Sequence, residues 1–212
     1  MSDIALKIIQ DHSQNGAKLR EQFFSLNKEK IDRSAMHMAA SLASDGKILI
    51  CGNGGSAADS QHLAAEFINR FLMERPALPA IALTTDTSSI TAIGNDREFN
   101  EIFSRQIEAL GNKNDILIAI STSGHSKNII TACSTAKKKN LFVIGLTGKD
   151  PSQMESFCDI LLNVDDNSTP LIQEIHITVE HLLCQLTDYY LFENVLAIEP
   201  YLKNKGIENA HI

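Results

Sequence analysis

Two histidine–glutamate pairs, each four residues apart, are the groups in this chain best suited to moving protons: His62 with Glu66, and His176 with Glu180. On a helix that spacing stacks both side chains on one face, so an imidazole and a carboxylate can serve a single substrate. The same spacing is common between exposed helix partners that do no chemistry. The second pair stands in a stretch that also offers Gln173, Glu174 and His181. Gln173 and His181 are eight residues apart, about 80° out of alignment on a helix, and converge only with help from tertiary placement. Spacing does not choose among these groups.

Just before His62 lies GNGGSAAD, which supplies Gly52, Gly54 and Gly55 for close approach of backbone to a ligand, with Ser56 as the expected helix N-cap. A second turn, STSGHS from Ser121, places Ser121, Thr122, Ser123 and Ser126 around Gly124. Each turn follows an apolar run and precedes a helical pattern, the arrangement that exposes unpaired amide donors and a partial positive charge to an anion. Neither turn carries the lysine of a P-loop, and GNGGSAAD is not GxGxxG, so both nucleotide fingerprints fail. Hydroxyl and amide donors without a lysine suit the phosphate of a sugar monoester. Tight turning and helix capping alone would use the same residues.

The elements that must position these groups are legible as texture. Short apolar runs recur at KILICG from Lys47, AIALTT from Ala80, DILIAIST from Asp115, LFVIGLTG from Leu141 and DILLNV from Asp159. Unalternated runs rich in Ile, Leu and Val fit strands covered on both faces, and the segments between most of them are long enough for crossover helices. SAADSQHLAAEFINRFL, NEIFSRQIEAL, SKNIITACSTAKKK and IQEIHITVEHLLCQLTDYYLF read as helices. The expected fold is α/β, a five-stranded parallel sheet flanked by helices in three layers. Residues 1–45 read as two N-terminal helices packing on the core and a subunit interface, 46–195 as the sheet domain and 196–212 as a C-terminal tail.

The chain has 212 residues, 43% of them hydrophobic and 21% charged, enough to bury one substantial core. A formal charge of −7 argues against binding a nucleic-acid backbone, though a local nest of amides can still hold one phosphate. No apolar run is long enough to span a membrane, and the N-terminus has no basic leader or cleavage site, so a cytoplasmic protein is expected. Cys51, Cys133, Cys158 and Cys184 stand apart in apolar surroundings and read as reduced thiols.

Four blocks, CGNGGSAADSQHLAAEF, RPALPAIALTTDTSSITAIGND, DILIAISTSGHS and TPLIQEIHITVEHLLCQL, occur in an order that resembles the sugar isomerase (SIS) family, its phosphoheptose isomerases in particular. The resemblance covers nearly the whole chain. It implies conversion of sedoheptulose 7-phosphate to D-glycero-D-manno-heptose 7-phosphate, an early step toward the heptose of lipopolysaccharide, by a cytosolic homotetramer. It also implies Glu66 and His181 as catalytic base and acid, and one zinc ion per subunit on His62, Glu66, Gln173 and His181. Substrate contacts fall on Asn53, Gly54, Gly55, Glu66, Asn95, Asp96, Ser121, Thr122, Ser123, Ser126 and Gln173, and the turn argument adds Ser56. Glu66 cannot be a fully engaged metal ligand and a free base at once.

Two positions depart from the family pattern: Leu171 stands where an arginine is usual, and His125 where asparagine is common. The rival reading is a non-catalytic SIS tetramer that binds a replication initiator protein, which EFINRFLMERPALPAIAL and LCQLTDYYLF also resemble. Members of that kind lack the carboxylate and imidazole that this chain keeps at Glu66 and His181. A sugar-phosphate-sensing regulator would need a DNA-binding element, and the first 45 residues show no basic recognition helix.

Overall fold

The computed structural model describes residues 2–203. Helix α1 (Ser2–Leu42) leads into strand β1 (Ile48–Gly52), helix α2 (Gly55–Ile68) and strand β2 (Ala80–Ala82). Helix α3 (Thr87–Asp96), a 3-10 turn (Phe99–Glu101) and helix α4 (Ser104–Leu110) precede strand β3 (Ile116–Ser121) and helix α5 (Lys127–Lys138). Strand β4 (Phe142–Thr147), a 3-10 turn (Ser152–Phe157), strand β5 (Ile160–Asn163) and the long helix α6 (Thr169–Phe192) follow. A last 3-10 turn (Val195–Ile198) and helix α7 (Glu199–Lys203) complete the described chain.

All five strands are parallel, in the order β2-β1-β3-β4-β5. Alternate residues of each strand feed two separate cores. Ile48, Ile50, Ile116, Ile118 and Ile144 pack under α1, α2 and α6, whereas Leu49, Cys51, Leu117, Ala119 and Val143 pack under α4 and α5. Burial on both faces removes the need for polar residues within a strand, which is why the runs read as unbroken hydrophobicity. The expected three layers and all five strands are present.

The expected pair of N-terminal helices is one continuous helix of 41 residues, about 60 Å long at 1.5 Å per residue. Its buried stripe runs through Leu19, Phe23, Asn27, Ile31, Ala35 and Ala39, a four-residue repeat that bridges the gap between the two expected segments. Gly16, the one strong helix breaker on the way, lies against Leu171 and Glu174 of α6. Leu171 is buried in that contact, which accounts for an apolar residue at a position where the family pattern expects arginine. The expected tail is also shorter at its start: Ile198 and Leu202 are buried in the core, and only 204–212 lie outside the described residues.

α3 has no counterpart among the expected helices, and none of its residues is buried. Its start is set by Asp86, whose carboxylate accepts from the Ser89 amide at 3.0 Å and hydroxyl at 2.6 Å. At the opposite, N-terminal edge of the sheet, the buried Asp115 carboxylate accepts from the Lys47 amide at 2.9 Å, the Lys47 ammonium at 2.6 Å and the Asn112 amide at 2.8 Å. These contacts lock the starts of β1 and β3 together, and with them the register that sets Gly52 opposite Ile120 at the far end. Asp115→Ala strands two backbone amides and is expected to cost about 3 kcal/mol, read as a lowered urea midpoint by circular dichroism.

Candidate active site

The strand order reverses direction between β1 and β3, so the crevice beyond their carboxyl ends is where an open parallel sheet receives a ligand. Both glycine–serine turns open there. The first runs from Gly52 into α2, whose N-cap is Gly54 with φ of 57° and no side-chain cap. The expected cap at Ser56 is therefore corrected: Ser56 lies inside the first turn, buried, with its carbonyl accepting from the Ser60 hydroxyl at 2.7 Å. The second turn runs from Ser121 to α5, with the Ser121 hydroxyl donating to Ser126 Oγ at 3.2 Å and the Gly124 amide to the Ser121 carbonyl at 3.1 Å. Gly124 has φ of 69°, and a Cβ there would meet the Asp150 carbonyl at 2.2 Å, so the turn demands glycine.

The two turns are joined by a reciprocal amide pair. Asn53 Nδ2 donates to Asn128 Oδ1 at 2.9 Å and Asn128 Nδ2 to Asn53 Oδ1 at 2.8 Å. Asn128 had no motif to single it out in the sequence. His125 hydrogen-bonds Asp150 at 3.0 Å at the exposed rim, and its amide donates to Ser123 Oγ at 3.2 Å. The Gly148 amide donates to the Thr122 carbonyl at 3.0 Å, so the loop after β4 braces the serine turn from the other side.

Helices α2 and α6 carry the histidines and carboxylate that the sequence offers as candidates for proton transfer. His62 Nε2 and His181 Nε2 stand 3.0 Å apart, one ring donating and the other accepting, and Glu66 Oε1 lies 3.6 Å from His62 Nε2. Phe71 stacks on the His181 ring at 5.3 Å between centroids and 19° between planes, fixing its orientation. Gln173, at the start of α6, reaches the N-terminus of α2: a Cβ on Gly55 would meet Gln173 Nε2 at 2.3 Å. His62, Glu66 and His181 thus come together, and Gln173 joins the first anion turn. The His62 side chain keeps 44% of its exposure and the cluster is open to solvent.

Asn95 and Asp96 do not join it. They lie at the exposed end of α3, hydrogen-bonded to each other at 2.8 Å, on a helix packed chiefly against the 3-10 turn at Phe99–Glu101. Of the groups that spacing left open, Glu174 bonds His12 of α1 at 2.7 Å on the surface. His176 is buried and donates from Nε2 to the Thr147 carbonyl at 3.2 Å.

Two carboxyls lie in the α2–α6 seam: Asp59, which no motif singled out, and Glu180, which spacing paired with His176. Burial pushes Asp59 above the usual carboxylate range, with His62 pulling it partly back. Burial, then the nearby charge of Asp59, pushes Glu180 well above that range, and both Glu180 oxygens are buried without a hydrogen-bond partner. Among the described residues no group of three or more His, Cys, Asp and Glu side chains is set closely enough to hold a metal ion. None of the described helices is long and apolar enough to cross a membrane.

Comparison with known proteins places this architecture. The family model described as SIS domain matches residues 11–148. A phosphoheptose isomerase of Desulfovibrio desulfuricans is 59% identical over 202 residues, 95% of this chain and 96% of that protein. Another from Nitratidesulfovibrio vulgaris is 56% identical over 208 residues, 98% of this chain and 100% of that protein. The solved structure of a phosphoheptose isomerase from Neisseria gonorrhoeae superposes with a TM-score of 0.82 at 43% identity, covering 87% of this chain and 98% of that one. The chain belongs to the SIS domain family, in its phosphoheptose isomerase branch. It is an enzyme of the aldose–ketose isomerase class.

The buried His176 has one measurable consequence. Burial pulls its imidazole down to about 4, with the Thr147 carbonyl offsetting part of that pull. Nδ1 has no partner. Between pH 6.5 and 4 the unfolded chain therefore binds a proton that the folded chain refuses, and stability is lost as the pH falls through that window. The loss attributable to this group is ~3 kcal/mol. His176→Gln, which can still donate to Thr147, is expected to flatten the dependence of the urea midpoint on pH across that range.

Proposed function

We propose that this enzyme interconverts D-sedoheptulose 7-phosphate and D-glycero-D-manno-heptose 7-phosphate through a cis-enediol. The observation that carries the reading is the meeting of an α2 carboxylate with an α6 imidazole in a cluster beside two amide- and hydroxyl-rich turns. The ester oxygens bind the serine turn at Ser121, Thr122, Ser123 and Ser126, with α5 contributing its N-terminal dipole. Asn53, Gly54 and Gly55 face the sugar chain from the first turn and Gln173 from the start of α6, with the buried Ser56 supporting the turn from beneath. Asn95 and Asp96 contact substrate from a neighbouring protomer.

Glu66 removes a proton from C1 of the ketose while His181 donates one to the C2 oxygen, giving the enediol. The O1 proton then leaves and a proton returns to C2, so one hydrogen moves from C1 to C2 and one from O1 to O2, with no outside oxidant. The contact with Phe71 holds the His181 ring steady for the transfer. A base near carbon and an acid near oxygen are what the two-proton exchange requires, and the α2–α6 seam supplies one from each side.

We further propose that zinc binds this site on His62, Glu66, Gln173 and His181 in a state that competes with the acid–base one, since Glu66 on the metal is not free to take the C1 proton. Two imidazole nitrogens, a carboxylate and an amide oxygen suit zinc chemically; the two nitrogens stand 3.0 Å apart, and Glu66 and Gln173 would have to move in from their present positions to complete the set. When bound, zinc supplies Lewis-acid polarisation of the carbonyl. The protein assembles as a cytoplasmic homotetramer serving ADP-heptose and lipopolysaccharide core synthesis. Exposed Ile4, Ile8 and Ile9 on α1, and an α3 with no fully buried residue, support association of copies.

Glu66→Gln and His181→Gln are each expected to lower turnover of sedoheptulose 7-phosphate by at least a thousandfold. Both should still bind the alditol made by reducing the substrate carbonyl, and near wild-type rates in either would refute the assignment. Elemental analysis of protein grown with zinc should find one ion per chain, falling below one in ten chains for His62→Ala. Full zinc retention in that variant would remove His62 from the ligand set.

A further inference from the structure

Helix α2 ends at Ile68, and its last carbonyls have no partner inside the helix. Water or a glycine cap satisfies most such ends. Here Arg75, seven residues further on, does this together with the Leu78 amide, which donates to the Phe67 carbonyl at 3.1 Å. Its Nη2 donates to the Glu66 carbonyl at 2.9 Å and its Nη1 to the Phe67 carbonyl at 2.7 Å and the Pro76 carbonyl at 3.1 Å. The remaining edge of the guanidinium, Nε, donates to Asp188 Oδ1 of α6 at 2.9 Å. Both side chains are sealed, with 1% of Arg75 and 5% of Asp188 exposed.

The two attachment points are placed with respect to the chemistry. One is the backbone of Glu66 itself. The other lies seven residues after His181, two helical turns along nearly the same side of α6. A single rigid, planar group therefore spans from the residue carrying the carboxylate to the helix carrying the imidazole. A flexible ammonium has no such fork: it is a point charge that cannot serve an aspartate and two helix carbonyls in fixed directions at once. Burial raises the Asp188 carboxyl and the guanidinium offsets only part of that, so the pair is not an inexpensive surface contact.

We propose that Arg75 and Asp188 are positioning residues that set the separation of Glu66 from His181, and so the rate of proton transfer. This rests on the reading of Glu66 and His181 as the acid–base pair. Neither residue touches substrate, and the tie grips the C-terminal end of α2, about four helical turns from the anion turn at its other end. Loss of the tie therefore acts on turnover and leaves sugar-phosphate affinity in place. A shift of about 1 Å between reacting groups is worth on the order of a hundredfold in rate.

The test uses the full-length enzyme with Arg75→Lys and Asp188→Asn. Calorimetric titration with the reduced, non-isomerisable alditol phosphate counts competent sites, and turnover is expressed per counted site, so partial unfolding cannot imitate the effect. At least one variant is expected to show a tenfold to hundredfold fall in per-site kcat, with Kd for the alditol within twofold of wild type. Asp188→Asn keeps the shape and one acceptor oxygen, and carries the test alone if Arg75→Lys yields no sites. Wild-type per-site kcat in every variant that binds, or a rise in Kd with kcat unchanged, overturns the proposal. Glu66→Gln is run alongside. If it turns over substrate, the acid–base reading itself has failed; if it is silent while the tie variants run at wild-type rate, only this inference has.

Discussion

The seam between α2 and α6 is the contact on which the proposed chemistry depends. The two helices lie far apart in sequence, one just after β1 and the other after β5, yet both pack on the same face of the sheet. Every side chain proposed to move a proton lies in that seam, and no strand contributes one. The sheet acts as a spacer: its parallel register aligns the ends of β1, β3 and β4, and the helices inherit their positions from those ends. A small change in how the C-terminal end of α2 sits on α6 therefore reaches Glu66 and His181 before it reaches the turn at the other end of α2.

The division of labour follows from dipoles and dielectric. Helix N-termini present neutral donors that hold an anion without adding a titratable cation, which suits a chain with net negative charge. The seam has the opposite character. Asp59 and Glu180 are carboxyls pressed into a region that disfavours ionisation, directly behind the imidazoles. The solvent-open His62–His181 pair is thus backed by two desolvated carboxyls, Asp59 and Glu180.

Much of this was readable beforehand, and the exceptions have physical causes. The strands were legible because residues such as Ile48 to Cys51 are buried on both sides, leaving no polar interruption. The two turns were legible because glycine and serine are demanded by close approach and by the need for donors. Spacing could not select His181 over His176, since the choice depends on which face of α6 meets α2. It could not find Phe71 or Arg75, whose partners are a hundred or more residues away in the chain. α3 escaped notice because its apolar side is only Ile90 and Ile93, half-buried against the second core, which is too short to read as a stripe. The continuity of α1 was missed because its stripe passes through Asn27 and small alanines.

The amide pair between Asn53 and Asn128 has a bearing on how the protein ages. Asn53 is followed by Gly54, the neighbour that offers least steric resistance when a backbone nitrogen attacks an asparagine side chain and expels ammonia. The product, an aspartate, would present an anionic oxygen to Asn128 Oδ1 and to the incoming phosphate alike. Both bonds of the pair restrain the amide from the rotation that such an attack needs. The bridge that joins the two turns thus also opposes the loss of the Asn53 amide.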